Sequence, residues 1–227
     1  TMSQRAATRG FFLCILCILA VFAAPPAEAQ ITFAPPTVAF GVGETSPPIT
    51  ATITYVTTPP TGQQSLVFSG DPGITTLPPT VTFMPPASPG SVNVSFQLVA
   101  AGGAIPGTGS ELSVSTLGVG SALLMYDLSP VGIWPRPATV MQGSSTGPIT
   151  ATMHWDTTPP GGTQELVIGG LPPGATTVPS PVNFTPPTGT NTTVTFQIAT
   201  TAATPVDVHT LTASTASIPG GVATFDL

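Results

Sequence analysis

Residues 47–60 read PPITATITYVTTPP, and residues 147–160 read GPITATMHWDTTPP. Apolar and polar side chains alternate in both. Ile49, Ala51, Ile53 and Tyr55 are interleaved with Thr50, Thr52 and Thr54. Ile149, Ala151, Met153 and Trp155 are interleaved with Thr150, Thr152, His154 and Asp156. Successive side chains of a strand point to opposite faces, so this period of two gives each strand one apolar and one polar face. That is the pattern of an antiparallel sheet packed on one side and wet on the other. Prolines end both stretches, because a proline cannot donate to a strand ladder.

Outward from these stretches the recurrence continues. SLVFSG (65–70) returns as ELVIGG (165–170), SVNVSFQL (91–98) as TTVTFQI (192–198), and LLMYDL (123–128) as VATFDL (222–227). A period of about 100 residues means two copies of one domain, not a solenoid of short units. The expected boundaries are 30–128 and 129–227. Turn signals divide each copy into about seven strands, the spacing of a β-sandwich. In the first copy these lie near 37–42, 48–56, 64–69, 80–84, 91–99, 110–117 and 122–128. In the second they lie near 137–142, 148–156, 164–169, 181–185, 191–199, 208–215 and 221–227. The expected fold is all-β, two tandem antiparallel sandwiches. The junction SPVGIWPRPATV (129–140) lacks a Gly/Ser linker, so a stiff hinge is expected. Trp134 stands where the first copy has Ala34 and is expected at the contact between the domains.

Residues 1–29 differ in kind. Arg5 and Arg9 precede the apolar run FFLCILCILAVFAA (11–24) and the small-residue site Ala27-Glu28-Ala29. These are the three parts of a secretory signal peptide. The run is shorter than the ~20 residues of a spanning helix, so no stable membrane span is expected after cleavage. Neither Cys14 nor Cys17 follows a small residue, which argues against a lipid anchor. The expected location is secreted or cell-surface. At the other end, the last strand runs into Leu227 with no sorting signal after it, as a truncated chain would.

Without the leader the chain keeps one basic residue, Arg136, against eight acidic ones, a net charge of −7. Such a surface cannot neutralise phosphates, so nucleic acid is excluded as a partner. No cysteine remains, and each domain must be held by its own core. At about 98 residues per copy this is feasible, since domains of that size bury roughly 60–70% of their unfolded surface.

Residues with chemical potential are few. His154 and Asp156 are expected on the outward face of one strand, and Asp207 and His209 on that of another. One imidazole and one carboxylate are too few for a zinc site, and no G-x-S-x-G nucleophile turn occurs. The acids Glu44, Asp71, Glu111, Asp127, Asp156, Glu165, Asp207 and Asp226 are too scattered for a calcium loop. The equivalent Asp127 and Asp226 are expected to cap turns or accept backbone bonds. Tyr55 and Trp155 share parity with Ile53 and Met153, so they are expected in the core. Asn93, Asn183 and Asn191 begin N-x-[ST] triplets, which matter only where glycosylation machinery exists. No catalytic, cofactor-binding or metal-binding residue is assigned, and no cofactor is expected.

The stretch GLPPGATTVPSPVNFTPPTGTNTTVTFQIATTAATPVDVHTLTASTAS (170–217) resembles the Ig-like repeats of bacterial secreted and surface proteins, with GDPGITTLPPTVTFMPP (70–86) a less faithful version. The resemblance implies Ig-like sandwiches serving as a spacer, stalk or adhesive module. The expected function is therefore non-enzymatic, an exported structural, spacer or adhesion module. The alternative is a carbohydrate- or protein-binding module that uses loops at one end of a sandwich. The partners implied are other extracellular protein domains or surface glycans.

Overall fold

The computed structural model describes residues 29–227. The signal peptide expected over 1–29 lies, Ala29 apart, outside the described residues. The first half of the chain contributes Gln30–Ala34 (β1), Thr37–Gly41 (β2), Ile49–Tyr55 (β3), Gln64–Ser65 (β4), Val67–Ser69 (β5), Ile74–Leu77 (β6), Thr82–Phe83 (β7), Gly90–Ala100 (β8), Gly107–Thr116 (β9) and Val119–Ser129 (β10). The second half contributes Val131–Trp134 (β11), Ile149–His154 (β12), Gln164–Gly169 (β13), Ala175–Val178 (β14), Val182–Phe184 (β15), Asn191–Thr200 (β16), Thr210–Ser214 (β17) and Val222–Asp226 (β18). There is no helix among the described residues.

Four sheets face one another in two pairs. Their orders are β1-β3-β8-β6 against β2-β10-β9-β5, and β11-β12-β16-β14 against β15-β13-β17-β18; β4 and β7 form a small extra ladder. The alternation seen in the sequence sets the inward rows. Ile49, Ala51, Ile53 and Tyr55 of β3 join Phe96, Leu98, Val114, Leu124 and Tyr126 in one core. Ile149, Ala151, Met153 and Trp155 join Phe196, Ile198, Leu211, Ala213 and Phe225 in the other. Full burial of each large side chain contributes about 1.5–3 kcal/mol, so these rows carry the stability of the described residues, which include no cysteine.

Threonines, serines and Asn93 occupy the opposite face of β3 and β8. Thr50 meets Ser95, Thr52 donates to Asn93, and Thr54 meets Ser91. Such cross-strand pairs hold the register without any charge.

Each half repeats a buried polar clip. The Ser46 hydroxyl accepts the Leu98 N–H at 2.9 Å, and the Ser46 carbonyl accepts the Gln97 amide at 2.7 Å. Thr146, Ile198 and Gln197 repeat this at 3.0 and 2.7 Å. The clip satisfies a backbone donor that burial would otherwise leave unpaired.

The expected strands change in three respects. First, β1, β6, β11 and β14 had no counterpart in the sequence reading. They are four or five residues long and flanked by Pro or Gly, so their period of two is too short to stand out. Second, the first sandwich is not wholly antiparallel. The chain runs along β1, breaks at Pro35-Pro36, crosses to the other sheet and continues in the same direction. It thereby lies parallel to β10, with Val38 opposite Tyr126. Third, the strand expected at 137–142 does not form. Pro135 and Pro137 flank its start, and the segment is tied to β18 by one backbone bond, Ala138 N–H to the Asp226 carbonyl.

Candidate functional site at the junction

The first part of the stiff hinge expected over 129–140 is strand, and residues 135–140 are not. β11 begins one residue after Pro130 and is the first strand of the second sandwich, with Val131 opposite Met153 and Ile133 opposite Ala151. Its backbone presses on the end of β2. A Cβ on Gly41 would come closer than 3.0 Å to Gly132 and to the Val131 carbonyl, and one on Gly132 closer than 3.0 Å to the Val42 carbonyl. Only glycine at both positions allows this approach.

Glu44 lies in the turn after β2 and is 2% exposed. One oxygen, Oε2, accepts the Gly41 N–H at 2.8 Å and Arg136 Nη1 at 2.8 Å. The other, Oε1, accepts the N–H of Ile133 in β11. A carboxylate removed from water needs several donors. Here one comes from the first half and two from the second. Arg136 also reaches Thr224 on β18 with Nη2 at 3.5 Å. It is the one basic residue among the described residues. Neither partner is part of the repeat: Ser144 stands at the position equivalent to Glu44, and Pro36 at that of Arg136.

Arg136 stands out in the sequence as the last cation, but nothing near it in the chain points to Glu44. The one available signal was that Glu44 and Arg136 both interrupt the repeat.

Trp134 lies at this junction, as expected, but it is not buried in the contact. Its side chain is 53% exposed. It borders a groove of about 390 Å³ with Ser46, Pro47, Pro48 and Leu77 of the first half and Arg136 beside it.

His154 is a correction. It was expected on a wet face, yet it is 8% exposed. The polar face of β12 is a contact face between the sandwiches. A Cβ on Gly43 would lie 2.7 Å from the Thr152 hydroxyl, and one on Gly103 would lie 3.2 Å from the Asn191 amide, which sits opposite His154. The loops of the first half thus close over this end of the strand. His154 Nε2 lies 3.9 Å from Asp156, and its Nδ1 has no hydrogen-bond partner.

His209 and Asp207 do not share a strand face either. Both precede β17, and Asp207 accepts the Val208 N–H at 2.7 Å rather than meeting the imidazole. The two histidines lie in different places, with no shared carboxylate. Among the described residues no three His, Cys, Asp or Glu side chains gather as a metal site would require.

Asp127 accepts the Gly109 N–H at 2.6 Å, and Asp226 accepts the Thr210 hydroxyl at 2.9 Å. Both fasten the last strand of their sandwich to its neighbour. Tyr55 and Trp155 are buried in their cores, where Trp155 packs on Phe184 with ring centroids 6.3 Å apart.

No family model matches the chain, and no curated protein matches it. Solved structures similar to it include the Yersinia pseudotuberculosis adhesin InvE, at 18% identity and a TM-score of 0.30, covering 88% of this chain and 58% of that one. The chain thus spans a little over half the length of that adhesin structure. A protein of unknown function from Porphyromonas gingivalis W83 is similar at 10% identity, covering 86% of this chain and 97% of that one, with a TM-score of 0.29. Domains 5–6 of the S-layer protein SbsC are similar at 9% identity, covering 88% and 97%, with a TM-score of 0.27.

Proposed function

We infer that the chain is a non-enzymatic, exported structural module, a spacer or adhesion element that holds what it joins at a fixed distance and angle. The supporting observation is Glu44. A buried carboxylate that takes donors from both sandwiches sets their relative orientation, because bending the joint would strip partners from a charge out of water. A freely jointed pair of domains would not need such a contact. Spin labels placed on the exposed Thr82 of β7 and Thr195 of β16 test this by pulsed dipolar spectroscopy. A single narrow distance distribution supports the reading, and a broad one in the unmodified chain contradicts it.

The second reading, a module that binds surface glycans or protein, is favoured by Trp134. A half-exposed indole beside a groove offers a flat apolar face for a sugar ring or a peptide. The chain has two tryptophans, and Trp155 is buried. A saturable change in tryptophan fluorescence with one defined glycan, lost in Trp134→Ala, favours this reading over the spacer.

A further inference from the structure

The end of the second sandwich away from the junction is apolar and bare. Met141, Val206 and Val208 are 77%, 83% and 71% exposed, the three most exposed large apolar side chains among the described residues. All three border one cleft of about 450 Å³, together with Leu227 and His209. His209 Nε2 is buried there without a partner.

The internal repeat says what this end corresponds to. Met141–Ser144 align with Gly41–Glu44, and Thr201–Thr204 with Ala101–Ala104. Gly43 and Gly143 turn the chain alike, each with φ 72°. Both loops close with the same backbone bond, Ala104 N–H to Ala101 and Thr204 N–H to Thr201. In the first sandwich these segments are the socket that receives β11 and the Thr152 face of β12. The inserted end of the second sandwich has its own counterpart in the first, namely β1 with Thr52. Inside one chain the first socket is filled. Among the described residues the second socket and the β1 end are open.

We propose that the open socket at Met141, Val206 and Val208 takes the β1 end of a second copy of this chain. The contact is head to tail, so repetition gives a linear filament rather than a closed dimer. Charge does not oppose it: from Gln30 to Pro36 the inserted end carries no ionisable side chain. The contact cannot copy the internal one atom for atom. Met141 and Thr32 replace Gly41 and Gly132, which keeps the backbones further apart, and Ser144 and Pro36 replace the ion pair. Apolar side chains fill the widened space in place of the salt bridge. The internal joint also gains from tethering, which sets an effective concentration of about 1 mM, so the intermolecular contact is expected only in concentrated protein.

The test uses the chain from Ala29 onward, which carries every core residue among the described residues. Sedimentation velocity and small-angle scattering are followed up to about 1 mM, the effective concentration of a short tether. Average mass is expected to rise with concentration while the maximum dimension grows in whole molecular lengths. The double variant Met141→Asp, Val208→Asp is expected to stay monomeric with an unchanged melting temperature. Under oxidation, Val208→Cys mixed with Thr32→Cys is expected to cross-link the two variants to each other. A wild-type chain that stays monomeric throughout overturns the proposal, as does a double variant that associates like wild type. Disulfides formed only between Val208→Cys copies also overturn it, since they report tail-to-tail contact.

Discussion

Arg136 Nη1 meets Glu44 Oε2 at 2.8 Å across the seam between the sandwiches, with Glu44 buried and Arg136 one-third exposed. The two residues are 92 positions apart in the chain. Removing one partner of a fully buried pair costs about 3–5 kcal/mol, and the exposure of Arg136 lowers this. Arg136→Ala is therefore expected to cost about 2 kcal/mol in urea unfolding. It is also expected to broaden an inter-sandwich label distance. Arg136→Lys is expected to rescue little, because an ammonium cannot reach Glu44 and Thr224 together as the guanidinium fork does. A Lys variant as stable and as narrow in distance as wild type contradicts this account.

The glycine contact makes a steric prediction. Gly132→Ala places a methyl against the Val42 carbonyl and the Glu44 side chain, and β11 must shift outward. Overpacking of this kind costs about 1–3 kcal/mol. Gly120→Ala serves as the control, since nothing lies within 4 Å of its Cβ position. Calorimetry of the two variants should show a lower melting temperature for the first and little change for the second.

The duplicated polar clip predicts parallel effects in the two sandwiches. Ser46→Ala and Thr146→Val each leave a buried N–H, of Leu98 or Ile198, without its acceptor. Each is expected to cost about 1–3 kcal/mol, with Thr146→Ser near neutral because the hydroxyl is kept. Amide exchange at Leu98 and Ile198 reads the loss directly. Unchanged protection at both sites would count against the clip.

Both tyrosines of the chain are buried, and burial raises each phenol above its ordinary value of 10.0; for Tyr126 the Asp71 carboxylate adds to the rise. Between pH 10 and the raised folded values, the unfolded chain loses these protons while the folded one keeps them. Stability is therefore full below pH 10 and falls as pH rises through that window. Phenolate absorbance is expected to appear only with unfolding, in step with loss of the near-ultraviolet circular dichroism. Ionisation of either tyrosine in the folded protein, near pH 10, rules this out.

Much of the sandwich was legible because its causes are local. Alternation in ITATITY and ITATMHW fixes which side chains face inward, and proline pairs fix where strands stop. Tyr55 and Trp155 were placed in the core by parity alone. The short β1, β6, β11 and β14 were not legible, since four or five residues beside Pro or Gly carry little periodicity. Parity also misled at His154. It gives the side of the sheet but not what lies on that side, and there the loops of the first sandwich replace water.

Local patterning is enough to specify an all-β chain of two related units with inward rows at Ile49–Tyr55 and Ile149–Trp155. A period of two and the geometry of proline act within a few residues of each other. That β2 runs parallel to β10, that His154 is covered and that Arg136 finds Glu44 follows from the folded arrangement alone. Those facts depend on which distant segments come into contact and on how much water they exclude. No local rule carries that information across 92 residues of chain.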